Sequence, residues 1–237
     1  MAETIKASPL GAALLGGLIG AVLTAGAFVF ATPQFVSSRI VRQGMLADPQ
    51  ILVEASDALR DKQNAPALAA ARVNLETPFG SSWKGAEKPE VVLVEFYDYA
   101  CPYCKASNPH IDQLIKENPG LRVVYRELPI LGQSSVEAAR LSLAASKAGR
   151  FREFHDALYA AGRPGPDTNA AAARAANIPA NATPDPAAEA ELKRNFEMAG
   201  KLGATGTPLF VVGDRVLNGA VGYDALKQAV EAAQKKG

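Results

Sequence analysis

Apolar residues are spaced unevenly along this chain of 237 residues, and their spacing predicts where its elements lie. The first long apolar stretch, Pro9–Ala31, contains no Asp, Glu, Lys or Arg. A helix of about 20 apolar residues spans a bilayer, whereas a secretory signal usually has an apolar region of only about 7–15 residues. The stretch therefore favours an uncleaved membrane anchor within residues 1–32. A cleaved signal sequence stays open as an alternative, because Ala25–Ala27 and Val29–Ala31 both have the small residues of a cleavage site.

Residues 33–77 are predicted to form short amphipathic helices. Asp48-Pro49 is a helix start, in which a capping residue precedes a proline at the first helical position. Leu52, Ala55 and Leu59 then fall on one helical face. Such a sparse apolar stripe cannot build its own core. The segment is therefore predicted to be a docked linker or an oligomerisation segment that packs against a second copy.

The main body begins near Pro78 with a strand–helix–strand pattern. Val91–Tyr97 is a β-branched and aromatic run, which is typical of a strand buried on both faces of a parallel sheet. The helix predicted over Cys101–Glu117 ends at the breaker Asn118-Pro119-Gly120. Leu121–Leu128 is predicted as the next strand. Such a unit within one sheet is almost always a parallel crossover.

The second half of the chain is predicted to be a helical stretch, then a hairpin, then a final helix. The predicted helices are Val136–Ala148, Phe151–Ala161, Glu189–Ala199 and Tyr223–Gln234, with an Ala/Pro/Asn-rich region around Ala170–Ala188. Strands are predicted over Pro208–Val212 and Arg215–Leu217. Gly213-Asp214 joins them as a two-residue loop that suits a type II′ turn.

Charge and cysteine content narrow the function. The 25 Lys and Arg residues nearly balance the 24 Asp and Glu residues, giving a net charge of +1. This balance argues against a nucleic-acid partner, which would usually require a basic face. The chain has two cysteines, Cys101 and Cys104. Two cysteines cannot form a zinc site made only of cysteines, which takes four, or the disulfide framework of a small scaffold.

The two cysteines lie in the sequence Cys101-Pro102-Tyr103-Cys104, directly after the buried strand. With Cys101 at the helix cap, its sulfur can face the backbone N–H of Cys104. The helix N-terminus also carries roughly half a positive charge. Both effects favour the thiolate of Cys101 over its thiol. We therefore predict that Cys101 is the nucleophile and Cys104 the resolving thiol, acting through a mixed disulfide.

Other uses of the cysteine pair can be weighed from the residues. Cys101, Cys104, His110 and His155 would supply four zinc ligands, but the two histidines lie in helical patterns without ligand spacing. A c-type haem attachment needs histidine directly after the second cysteine, where this chain has Lys105. A structural disulfide within one helical turn would cross-link almost nothing. Redox chemistry remains the favoured interpretation.

Two segments resemble those of a known family. EFYDYACPYCK (Glu95–Lys105) and GTPLFVVGDRVLNG (Gly206–Gly219) resemble the active-site and cis-proline segments of the DsbA-like thiol–disulfide oxidoreductases. The resemblance covers Pro78–Gln234 and implies an α/β class, namely a thioredoxin-like fold with an inserted helical domain. The expected organisation is an anchor or signal at 1–32, a helical linker or oligomerisation segment at 33–77, a thioredoxin-like domain at 78–132 and 201–237, and the inserted helical domain at 133–200.

The resemblance also implies roles for residues outside the cysteine motif. Pro208 corresponds to the family's cis-proline, with Thr207 before it, in a loop that offers its backbone to an extended substrate. Glu95 corresponds to the family's buried acid, which relays a proton to or from Cys104 and is expected to have a raised pKa. The alternatives are that Pro208 is an ordinary strand-starting residue and that Glu95 is a carboxylate facing water.

The residues between the cysteines bear on the branch of the family. Tyr103 stands where the strong-oxidant member has histidine, and a phenol can stabilise a thiolate only as a hydrogen-bond donor. Pro102-Tyr103 and Thr207 occur in disulfide-isomerase-like relatives, among them the suppressor-of-copper-sensitivity branch. Members of that branch use N-terminal helices to oligomerise, which fits the prediction for residues 33–76.

These observations predict a thiol–disulfide oxidoreductase, acting as oxidase or isomerase, tethered to the bacterial inner membrane with its catalytic domain in the periplasm. Its expected partners are exported proteins with cysteines and a membrane or periplasmic redox partner. No bound cofactor is implied, because the redox equivalents reside in the cysteines. The alternative is an exported metal-handling or chaperone-type protein that uses the cysteine pair as ligands.

Overall fold

The computed structural model describes residues 38, 40–181 and 185–235. The predicted anchor at residues 1–32 lies outside these residues. Among the residues described, no helix is long and apolar enough to cross a membrane. The chain divides between Ala58 and Leu59 into two units. In the first unit, residues 40–47 and 50–58 are helical, and nearly all their side chains are exposed.

The sheet that organises the second unit has five strands among the described residues. They are β1 (Trp83–Gly85), β2 (Val91–Tyr97), β3 (Leu121–Glu127), β4 (Leu209–Val212) and β5 (Arg215–Asn218), in the order β1-β3-β2-β4-β5. The β2–β3 pair is parallel, as predicted, and the other pairs are antiparallel. The hairpin loop has Gly213 at φ +56°, while Asp214 keeps a negative φ, as a type II′ turn requires.

Helices pack around this sheet and interrupt it once. They are α1 (Gln50–Glu76), α2 (Pro102–Glu117), α3 (Gln133–Lys147), α4 (Phe151–Ala161), α5 (Pro166–Ala175), α6 (Pro186–Lys201) and α7 (Gly222–Gln234). Helices α3 to α6 form the helical insertion between β3 and β4. The thioredoxin-like α/β fold expected from the sequence is therefore present, and most predicted helices differ from the observed ones by only a few residues.

Both faces of the sheet are buried, which explains the nearly continuous apolar run of β2. Leu93 and Tyr97 point into one core, together with Ile111 and Leu114 of α2. Phe96, on the opposite face, belongs to a second core that includes residues of α1. Because successive side chains of a strand alternate between its faces, Glu95 lies on the same face as Leu93 and Tyr97. The polar residue within the apolar strand therefore points into the first core.

Two local predictions differ from the structure. Residues 50–76 form one 27-residue helix instead of several short ones, although Pro66 lies inside it. The helix starts where predicted, because the Asp48 carboxylate accepts a hydrogen bond from the Gln50 N–H at 3.1 Å. Strand β1 was not predicted, since three residues carry no clear alternation. In this strand, the centre of the Trp83 ring lies 4.6 Å from the guanidinium carbon of Arg122 and 5.1 Å from that of Arg152.

Candidate active site

The cysteine pair lies where β2 leads into α2. Both are free thiols, and both are buried, with exposures of 4% for Cys101 and 0% for Cys104. Cys101 is the N-cap of α2 and Pro102 follows within the first turn, as predicted. The predicted cap bond from the sulfur to the helix is not made. The Cys101 thiol instead donates to the carbonyl oxygen of Thr207 at 3.2 Å, so its partner is a distant loop.

The loop that meets Cys101 contains a cis peptide bond between Thr207 and Pro208. The Pro208 carbonyl accepts a hydrogen bond from the Gly219 N–H at 2.8 Å, which ties this loop to the end of β5. A cavity of about 340 Å³ opens beside it, lined by Tyr103, Thr205, Gly206, Thr207, Gly219 and Ala220. Tyr103 is 63% exposed, so its ring stands at the surface of the site.

Asp98 fixes the backbone that presents Cys101. Its backbone carbonyl accepts from the Cys101 N–H at 3.0 Å, and its carboxylate accepts from the Ala100 N–H at 2.8 Å. The other carboxylate oxygen accepts from the N–H groups of Ile130 and Leu131 at 2.8 and 2.9 Å. One buried aspartate therefore connects the cysteine loop to the segment after β3. Asp98 therefore shapes the approach of the chain to Cys101.

Glu95 lies beneath the cysteine pair. It is 1% exposed and neither carboxyl oxygen has a hydrogen-bond partner in the structure, which excludes the alternative of a water-facing carboxylate. Burial raises the pKa of Glu95 well above its ordinary value, and negative charge at Cys101 or Glu127 raises this pKa further. The positive charge of the Lys84 ammonium lowers it. Burial and the charge of Glu95 also raise the pKa of Cys104 strongly. Cys104 therefore remains a thiol until a base takes its proton.

The sequence analysis did not identify Lys84, whose positive charge lowers the pKa of Glu95. Its ammonium is 2.6 Å from the Asp156 carboxylate and 3.7 Å from that of Asp112, and the side chain is only 12% exposed. It also lies 5.9 Å from the centre of the Tyr125 ring. No motif marks this lysine, because it reaches the site from the short strand β1.

His155 is a packing residue of the helical insertion. Its ring lies 4.9 Å from the rings of Tyr125 and Tyr159 and is 1% exposed. Burial lowers the pKa of His155 to about 4, although a contact of 3.0 Å with Asp156 opposes this shift. Among the described residues, no group of three or more His, Cys, Asp or Glu is placed to hold a metal ion.

The buried His155 should make folding stability depend on pH. The unfolded chain binds a proton at this residue below about pH 6.5, and the folded chain does so only near pH 4. Its contribution is therefore present above pH 6.5 and is lost as the pH falls towards 4, by about 3 kcal/mol. We expect urea unfolding to show this loss in the wild type and a smaller loss in His155→Gln. His110→Gln provides a matched histidine control, and equal pH dependence in wild type and His155→Gln would contradict the assignment.

Comparison with known proteins gives a consistent match across this domain. The family model described as DSBA-like thioredoxin domain matches residues 92–231. The catalytic domain of Proteus mirabilis ScsC is 31% identical, with a TM-score of 0.66, covering 72% of this chain and 98% of that one. The thiol-disulfide exchange protein α-DsbA2 of Wolbachia pipientis is 26% identical, with a TM-score of 0.65, covering 75% and 97% of the two chains.

Two curated relatives match only over a small part of their own length. Na(+)/H(+) antiporter NhaA 1 of Salinispora arenicola is 29% identical over 160 residues, which make up 63% of this chain and 24% of the antiporter. NhaA 3 of Salinispora tropica is 35% identical over 82 residues, which make up 12% of that protein. This chain therefore spans less than a quarter of the length of the antiporters that it matches.

Proposed function

This chain belongs to the DsbA-like thioredoxin family of thiol–disulfide oxidoreductases, and from that premise we propose that it exchanges disulfides with exported proteins through Cys101 and Cys104. The observation that carries the proposal is the placing of the Cys101 sulfur at the start of α2, 3.2 Å from the carbonyl oxygen of Thr207. At this position the helix N-terminus favours the thiolate form of Cys101, and the loop that contains Thr207 lies beside its sulfur.

In the oxidising direction, a substrate thiolate attacks the Cys101 sulfur of the Cys101–Cys104 disulfide. The bond between the cysteines breaks, a mixed disulfide forms at Cys101, and Cys104 leaves with the electron pair and takes a proton from Glu95. A second substrate thiolate then attacks the substrate sulfur of the mixed disulfide and releases Cys101 as a thiolate. The substrate loses two electrons and the protein gains them. Isomerisation starts instead with attack by reduced Cys101 on a wrongly paired substrate disulfide.

Thr207 and Pro208 are proposed to bind the substrate backbone. The hydrogen bond between the Cys101 sulfur and the Thr207 carbonyl supports this proposal, because it brings the loop next to the reacting atom. An extended peptide lying along the loop would pass the cavity beside Tyr103. Pro102 starts the helix that positions Cys101, and Tyr103 supplies an exposed aromatic surface at the same edge.

The direct test is transfer of hydrogen between this chain and a reduced peptide with two cysteines. The disulfide form of the full chain should gain two hydrogens while the peptide loses two, in a one-to-one ratio by mass spectrometry. A variant with both cysteines replaced by serine is the control. No transfer, together with tight zinc or copper binding by the wild type, would favour the metal-handling alternative.

The direction of exchange follows from the reduction potential, measured by equilibration with glutathione. A value near −120 mV would mark an oxidase, one near −180 mV an isomerase, and one near −270 mV a reductase. Tyr103, in place of a charged histidine, removes one source of thiolate stabilisation. We therefore expect a value below that of the strong oxidant, in the isomerase range, with a periplasmic or membrane redox partner that keeps the pair in its working state.

Self-association is proposed through the first part of residues 33–76. Ile40, Leu46 and Leu52 are 53–71% exposed along the helical residues there. We expect a fragment from residue 33 onward to form oligomers in light scattering and a fragment from residue 59 onward to be monomeric. The cut is placed at 59 because Leu68 and Leu75 are buried in the second core. A monomer in both cases would contradict the proposal.

The site of action is proposed to be the periplasmic face of the inner membrane, with residues 1–32 as the anchor. Fractionation of cells expressing the full chain should place it in the membrane fraction. Deletion of residues 1–32 and addition of a cleavable export signal should move it to the soluble periplasm. A full chain that is processed and soluble would support the signal-sequence alternative.

A further inference from the structure

A second buried carboxyl, which sequence reasoning did not single out, lies on the sheet face that holds Glu95. Glu127, the last residue of β3, is 2% exposed. In the parallel pairing of β2 with β3, Glu95 is opposite Tyr125 and Tyr97 is opposite Glu127. Residues two apart on a strand share a face, so the two carboxyls are diagonal neighbours on adjacent strands. The charge of Glu127 accordingly raises the pKa of Glu95.

Glu127 ends a chain of buried hydroxyl groups. The Tyr97 hydroxyl donates a hydrogen bond to one carboxyl oxygen of Glu127 and lies 3.1 Å from the Tyr99 hydroxyl. The Tyr99 hydroxyl lies 3.0 Å from the hydroxyl of Ser142. Each hydroxyl has a single proton to donate. When Glu127 is ionised, the Tyr97 hydroxyl can give its one proton to that carboxylate. When Glu127 is protonated, its own O–H becomes a donor, and the Tyr97 hydroxyl can donate to Tyr99 instead.

The chain of hydroxyls adjoins the cysteine site. Tyr99 precedes Cys101 by two residues, and its ring lies 5.1 Å from that of Tyr159. The buried Tyr159 hydroxyl has no hydrogen-bond partner in the structure, and the charges of Glu95 and Cys104 both raise its pKa. The titratable and polar groups that act on Glu127 and Glu95 or lie beside them come from several elements: Lys84, Tyr97, Asp98, Tyr99, Cys101, Cys104, Tyr125, Ser142, His155 and Tyr159.

We propose that Glu127 is a positioning residue for proton transfer from Glu95 to Cys104, acting through its charge state, which the linked hydroxyls of Tyr97, Tyr99 and Ser142 help to set. The inference rests on the proposed exchange reaction. In that reaction a substrate thiolate bonds to Cys101, the bond between the cysteines breaks, and Cys104 takes the electron pair and the proton of Glu95. Glu95 is left as a buried carboxylate. A second carboxylate at Glu127 makes that state less favourable, whereas a neutral Glu127 does not.

Glu127 is suited to this role because its charge changes within the working pH range. Burial raises the pKa of Glu127 to about 8, while the hydroxyls of Ser142 and Tyr97 lower it. Proton transfer from Glu95 should therefore be favoured below pH 8 and opposed above it. An amide at this position keeps the shape and removes the ionisation.

The test compares Glu127→Gln with the wild type in a single turnover of the full chain. The disulfide form is mixed with a peptide thiol between pH 6 and 10, quenched in acid and scored for opening by mass spectrometry. Because both proteins meet the same peptide, their rate ratio cancels the ionisation of the attacking thiol. We expect near-equal rates at pH 6 and a wild type about tenfold slower at pH 10, the equivalent of one pKa unit of coupling. The change in this rate ratio with pH should be centred near pH 8, the pKa of Glu127.

Two further variants make the outcome decisive. Glu137→Gln removes an exposed carboxylate of α3 and should follow the wild type at every pH. Tyr97→Phe removes the hydrogen bond that stabilises ionised Glu127, so the fall in opening rate should occur at a higher pH in this variant than in the wild type. Tyr97→Phe also provides the test if Glu127→Gln does not fold. A ratio that is constant across pH in both Glu127→Gln and Tyr97→Phe would overturn the inference. If the wild type itself opens no disulfide at any pH, the proposed function fails instead.

Discussion

Replacement of Cys101 by serine is expected to reduce exchange between this chain and a two-cysteine peptide by about three orders of magnitude or more, since covalent catalysis loses its nucleophile. Cys101 is the N-cap residue of α2 and its sulfur donates to the Thr207 carbonyl, whereas a serine hydroxyl at this position cannot form a disulfide. The measurement is turnover of the peptide between its dithiol and disulfide forms, followed by mass spectrometry.

Cys104→Ser should behave differently from Cys101→Ser, although both cysteines are buried. The raised pKa of Cys104 indicates that it reacts only after a base has taken its proton, so it cannot make the first attack readily. We expect Cys104→Ser to form the first mixed disulfide and then to stall. Equal loss of the first covalent step in both variants would contradict the assignment of distinct roles. Unchanged turnover in Cys101→Ser would contradict the assigned site.

Arg126→Met is expected to lower the free energy of unfolding by about 3–5 kcal/mol, because it breaks a buried ion pair and leaves several buried carbonyl groups without their donor. Arg126 is 3% exposed and donates to the Glu191 carboxylate at 2.6 Å. It also donates to Asn195 on α6 and to backbone carbonyls at the end of α1, those of Asn74, Leu75 and Thr77. These carbonyls have no partner within the helix, so one side chain satisfies groups from two separate elements.

Urea unfolding with a matched ion pair measures this effect. Arg140→Met breaks the pair of Arg140 with Glu189, whose side chains are 34% and 41% exposed, and should cost less than about 1 kcal/mol. The double variant Arg126→Met, Glu191→Leu should recover part of the loss, because it also removes the buried carboxylate, whose remaining charged partner is Arg194. A loss for Arg126→Met no larger than for Arg140→Met would contradict the role of this arginine.

The parts of the fold that the sequence predicted well are those determined by local patterns. The β-branched run of β2 and the helix start at Cys101-Pro102 specify their own conformation, and the Gly213-Asp214 loop sets the hairpin. The continuous helix α1 was not predicted, because Pro66 normally breaks a helix. Its burial in the second core is a tertiary effect that local propensity does not include.

The parts of the site that the sequence did not reveal depend on contacts between distant residues. The bond from Cys101 to Thr207 joins residues 106 positions apart, and no spacing rule indicates that it replaces the cap bond. Lys84, on a three-residue strand, acts on Glu95 only through its charge. Glu127 could have been found, because strand alternation places it on the face of Glu95 once β2 and β3 are known to be parallel. Its hydroxyl chain extends to α3 and could not have been found.

We propose that Cys101 forms a covalent mixed disulfide with exported proteins and that Cys104 resolves it. The most direct test is to express the full-length Cys104→Ala variant in cells, trap thiols with acid and identify adducts by mass spectrometry. We expect adducts with exported cysteine-containing proteins, linked through Cys101, released by a reductant and absent from Cys101→Ala. An empty trap, together with tight metal binding by the wild-type cysteine pair, would contradict it.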